Sequence, residues 1–70
     1  MNPAQRHFIE TLNFYHGIYM GERGTEAERL TARIIRGIDR PQRRRRYLST
    51  HQEPSIDGYI DFAHSERNPR

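Results

Sequence analysis

Arg29, Arg33, Arg36 and Arg40 follow one another at intervals of four, three and four, and Arg43, Arg44, Arg45 and Arg46 continue the series. From Arg29 to Leu48 the chain carries eight arginines, no lysine and one acidic residue, Asp39. Guanidinium groups are planar, forked and permanently charged, so they suit phosphate and carboxylate oxygens. Cations spaced along a ridge can neutralise successive phosphates of a nucleic acid and release its counterions. Tyr47 adjoins the run and offers a ring on which a base can stack. The expected binding set is therefore Arg29, Arg33, Arg36, Arg40, Arg43, Arg44, Arg45, Arg46 and Tyr47. The same arginines fit an acidic surface, on a partner or within this chain. A solvated helix face with a basic linker is the plainest account of them.

Other side chains invite chemistry less strongly. His7, Glu10, His16, His51, Asp57, Asp61 and His64 are of metal-ligand type, and the pairs His7/Glu10 and Asp61/His64 lie one helical turn apart. Zinc sites need three or four ligands at disciplined spacing, and no such pattern appears. Asp57 and Asp61 with His64 resemble a carboxylate pair and a base, but a thin core can hardly bury them enough to shift their pKa usefully. The chain has no glycine-rich phosphate loop, no G-x-S-x-G and no cysteine nucleophile. The expectation is a non-enzymatic protein with no cofactor, no metal and no small-molecule substrate.

The elements that must position the arginines are helices. Asn2, Pro3 and Gln5 form a helix-entry signature, and Phe8, Leu12, Tyr15 and Tyr19 then recur at helical spacing, with Ile9 and Ile18 widening the stripe. Gly21 and Gly24 bracket a polar turn. Thr25 and Glu28 form a capping box for a second helix, which Pro41 stops. The helices are expected over about 3–20 and 25–39 as an antiparallel hairpin. Ala27, Leu30, Ile34, Ile35 and Ile38 are the apolar residues of the second helix. Its arginines fall almost opposite an Ile34/Ile38 seam. A helix-turn-helix reader of the major groove fits poorly, because the second helix opens on acids, Thr25-Glu26-Ala27-Glu28, where the DNA backbone would lie.

Residues 41–54 read as an extended basic linker and residues 55–70 as an acidic, partly disordered segment. Ser55 can cap a short third helix with Ile56, Tyr59, Ile60 and Ala63 on one face. A strand is the other reading, Gly58 opposes both, and the helix is favoured. Residues 68–70 are expected to fray. Residues 1–46 carry a net charge of +5 and residues 47–70 a net of −2, which lets an acidic tail fold back on the arginines.

Composition limits the core. Seventy residues, 33% hydrophobic, with a mean hydropathy of −1.08, make one domain with little to bury. The aromatic stripe Phe8, Leu12, Phe14, Tyr15, Ile18 and Tyr19 is too wide for one short helix to cover. A second copy, making a homodimeric four-helix bundle, is the favoured cover, and the C-terminal segment is the other. No cysteine means no disulfide framework. No apolar run suits a signal peptide or membrane span, so the expected setting is cytoplasmic, or nuclear in a eukaryote.

The run from Phe8 to His16, followed by Arg23-Gly24-Thr25, resembles the first helix of AT-rich-interaction domains. The likeness covers under a third of the chain and the glycine-rich remainder of that family is missing, so no assignment rests on it. Small size, high charge and lack of cysteine also give the look of small phage and mobile-element proteins. The resulting expectation is an all-α protein that contacts a nucleic-acid backbone through its arginines. The alternative is a small inhibitor or adaptor that grips a host protein with the arginines and the aromatic helix face.

Overall fold

Each helix begins where the local chemistry allows. The Asn2 side chain accepts from the Gln5 N–H at 2.8 Å, and Pro3 occupies the first turn, where a missing N–H costs nothing. Thr25 and Glu28 form the reciprocal capping box, at 3.1 Å from the Glu28 N–H and 2.9 Å from the Thr25 N–H. The Ser55 hydroxyl accepts from the Gly58 N–H at 3.1 Å. The computed structural model describes residues 1–67. They form four helices: α1 Pro3–Gly21, α2 Glu26–Ile38, α3 Pro41–Thr50 and α4 Ile56–Arg67. None of the described residues lies in a strand. The expected fraying at 68–70 lies outside the described residues.

α1 and α2 pack together as the expected hairpin, joined by residues 22–25. Glu22 closes α1 in the left-handed region (φ 54°), and Gly24 turns the chain at φ 95°. A side chain at Gly24 would be strained by that backbone and would meet the Glu28 carboxylate at 2.9 Å.

Two expectations are corrected here. The first concerns residues 41–54, expected as an extended linker: residues 41–50 are helix α3. Pro41 stops α2 and also begins α3, since proline is as well suited to the first turn of a helix as it is unsuited to the interior. The ambiguous stretch after Ser55 is helix α4 rather than strand. The second concerns the α2 seam. Its buried residues are Ala32, Ile35 and Ile38, whereas Ile34 is 38% and Leu30 58% exposed. Choosing the largest side chains places the seam wrongly, because a buried alanine marks a face just as well where helices approach closely.

The core joins all four helices through Phe8, Leu12, Ile35, Ile38, Tyr47, Tyr59 and Ala63. Tyr47 is at its centre, with ring centroids 5.4 Å from Phe8, 5.3 Å from Tyr59 and 5.4 Å from Phe62. The C-terminal half therefore covers the first part of the α1 stripe, at Phe8 and Leu12. Phe8, Leu12 and Ile18 are buried within one chain and Tyr15 is half-buried. Of the six residues expected at a dimer interface, Phe14 and Tyr19 remain exposed. Side-chain bonds tie the start of α1 to the end of α3: Gln5 Nε2 donates to the Leu48 carbonyl at 3.0 Å and Asn2 Nδ2 to the Gln52 carbonyl at 3.3 Å.

Candidate polyanion interface

The eight arginines divide into two groups. Arg29, Arg33 and Arg36 are exposed on α2, and Arg40 and Arg45 are exposed beyond it. Among the described residues these five make no salt bridge, while Arg43, Arg44 and Arg46 each make one. At about 100° per residue, the three α2 arginines form a face about 120° from the buried Ala32/Ile35/Ile38 face. The first turn of α2 holds Glu26 and Glu28, and Glu28 is committed to the capping box.

Arg44 forks onto Asp39 with Nη2 at 2.8 and 2.9 Å from the two carboxylate oxygens, and its side chain is 28% exposed. Arg43 donates to the Ile38 carbonyl at 2.6 Å, satisfying an otherwise unpaired group at the end of α2, and its Nε reaches Glu66 at 3.3 Å. Arg46 meets the same Glu66 through two bonds, at 2.7 and 3.0 Å. The hydrogen bond from Arg46, helped by Arg43 and opposed by partial burial, holds the Glu66 carboxyl below its ordinary value. The fold-back of acidic tail on arginine thus occurs in α4, at Glu66, and engages two of the run of four.

Tyr47 is not where a stacking ring must be. It is 1% exposed. One face is covered by His51, stacked at 4.0 Å, and its hydroxyl donates to the Ser55 carbonyl at 3.3 Å and accepts from the Ser55 N–H at 3.2 Å. No base can reach it. The aromatic beside the free arginines is Tyr19, 39% exposed. With Ile18, Met20, Glu22, Arg29 and Arg33 it lines an open depression of about 340 Å³. The end of α1 and the start of α2 meet there because the turn is only four residues long, so the placing of Tyr19 and Arg29 on one depression was open to inference from the hairpin itself.

The histidines and carboxylates stay apart. Among the described residues no three of them come together as a metal site. Among the same residues, no helix is long and apolar enough to cross a membrane. Tyr59 is a buried phenol whose oxygen has no hydrogen-bond partner. Burial first, then the Asp39 carboxylate, raises its pKa, against a smaller opposing pull from the Arg40 backbone N–H, which is near but outside hydrogen-bond geometry, and from Arg44 and Arg43.

Comparison with known proteins adds no relative: no family model, no curated protein and no solved structure matches the chain.

Proposed function

We propose that this chain is a small regulatory binding protein, not an enzyme, and that Arg29, Arg33, Arg36 and Arg40, with Arg45, contact a nucleic-acid backbone. The observation that carries the reading is the α2 arginine face, which is exposed and has no acidic partner among the described residues. Tyr19, beside Arg29 and Arg33, takes the stacking role that Tyr47 cannot. Such contact favours phosphate over base identity, so sequence preference is modest.

Fluorescence anisotropy with labelled duplex DNA, single-stranded DNA and RNA, at about 50 and about 200 mM salt, tests this. Binding is expected to weaken by roughly 0.7–0.9 log units per log unit of salt for each phosphate neutralised. The triple substitution Arg29→Ala, Arg33→Ala, Arg36→Ala weakens it by about tenfold or more while helix content is kept. No binding at the lower salt sinks the proposal.

The second reading, an adaptor on an acidic host protein, draws support from Phe14, 54% exposed on α1. Aromatic and arginine side chains are frequent hot spots at protein interfaces. Such a complex is far less sensitive to salt.

A further inference from the structure

We infer that two copies of this chain associate through a second apolar face of α2, with the two α2 helices antiparallel. Ala27, Leu30, Ile34 and Gly37 are all exposed. Their three–four–three spacing is that of the seam positions of a coiled coil. By helical geometry this seam lies about 120° from the buried face of α2 and about 120° from its arginines. A single exposed leucine needs no explanation, but four apolar residues in heptad register on a short, otherwise polar surface do. Gly37 adds to the case. A β-carbon there would meet nothing within 4 Å. Gly37 lies in the last turn of α2 without a positive φ, so neither its backbone nor the packing within one chain requires a glycine there.

The order of sizes identifies the occupant. Small, large, large, small reads the same from either end. With a two-fold axis between Leu30 and Ile34, Leu30 of one copy meets Ile34 of the other and Ala27 meets Gly37. Large pairs fill the centre, and small pairs let the backbones approach at both ends. Parallel pairing would instead set Ala27 on Ala27 and Gly37 on Gly37, and would place Glu26 beside the uncharged Thr31 of the second copy. The antiparallel arrangement brings Glu26 to the end where Arg40 of the second copy follows α2. Arg33 alone faces its own copy, a like-charge contact that water and salt screen on a solvated surface.

The symmetry has a consequence for the polyanion site. A two-fold axis perpendicular to both helices leaves their lateral faces on the same side. Arg29, Arg33 and Arg36 of the two copies then form one continuous band, so the second copy contributes half of it. The seam is short, so the association is weak, with a Kd of roughly 10–100 µM.

Sedimentation velocity without nucleic acid, from about 5 to about 500 µM, brackets that Kd. The weight-average mass should rise from 8.4 kDa toward twice that value. Leu30→Glu and Ile34→Glu should each hold it at the monomer value with the helical circular dichroism retained, since both side chains are exposed. The chain has no cysteine, so engineered thiols report orientation cleanly. Mixed Ala27→Cys and Gly37→Cys chains should oxidise mainly to the 27-to-37 disulfide. A wild-type chain that stays monomeric overturns the proposal, as does a dimer indifferent to both glutamate substitutions. A preference for 27-to-27 bonds overturns the antiparallel arrangement. Because no nucleic acid is present, failure of the nucleic-acid reading leaves this result untouched.

Discussion

The α2 and α3 arginines are the same residue, close in sequence, with different occupations. On α2 the guanidiniums of Arg29, Arg33 and Arg36 face outward. On α3, Arg43, Arg44 and Arg46 are held by Glu66 and Asp39, and Arg43 also closes the end of α2. The difference lies in reach. Asp39, although only three residues from Arg36, is taken by Arg44, and α4 carries Glu66 back over α3, whereas among the described residues Glu22, Glu26 and Glu28 make no salt bridge to the α2 arginines. Charge density along a sequence thus says how much positive charge exists, and the neighbours brought in by folding say how much is left to bind with. In the densest run, RRRR, Arg45 is the one residue without a salt bridge among the described residues.

The contrast can be broken or sharpened by substitution. The largest effect should come from Tyr47→Ala, which empties the centre of the core that holds α3 in place. A buried aromatic truncated to alanine costs about 3–5 kcal/mol, a large share of the roughly 4–10 kcal/mol available to a chain of this size. Thermal unfolding followed by circular dichroism should show little cooperative transition. A melting temperature near wild type would mean that α3 is not anchored as described.

Gly58→Ala should come next. A β-carbon there would lie 2.6 Å from the Tyr47 hydroxyl and 3.1 Å from the Ser55 hydroxyl, both already hydrogen-bonded. The expected loss is about 1–3 kcal/mol, although alanine is the better helix former. A chemical denaturation midpoint at or above wild type would contradict the tight approach.

Glu66→Gln should be mildest for stability and the most informative about the contrast. The native carboxyl is held below its ordinary value of 4.5. Its contribution is therefore present above the ordinary carboxylate range and lost as pH falls through the depressed native value. The glutamine variant should lose less stability than wild type across that acid window. It should also free Arg43 and Arg46, tightening polyanion binding by about three- to tenfold at low salt. Unchanged affinity would mean that the α3 arginines are structural whether or not they are paired.

The caps were readable because they are local: Asn2, Thr25 with Glu28, and Ser55 each act within three residues. The hairpin was readable from a short turn between two periodic runs. α3 was not, because its only deeply buried side chain is Tyr47, set in a run of arginines with no apolar stripe. Its one local signal was Pro41, which marks a helix start as well as a stop. The burial of Tyr47 could not be seen without knowing that α4 returns over it, and the reassignment of the stacking role to Tyr19 follows from that burial. The α2 register was misjudged because Ala32 carries less hydrophobic weight than Ile34, although the packed interface selects the alanine.

The four-residue connection between α1 and α2 also bears on the order of assembly. Contacts between neighbours in sequence close cheaply and early, in microseconds for a helical hairpin. The Tyr47–Phe8 and Tyr59–Phe8 contacts span most of the chain and must wait for a long loop to close. The α2 arginines belong to the early unit, so a chain still being synthesised would display its basic face before α3 and α4 have docked.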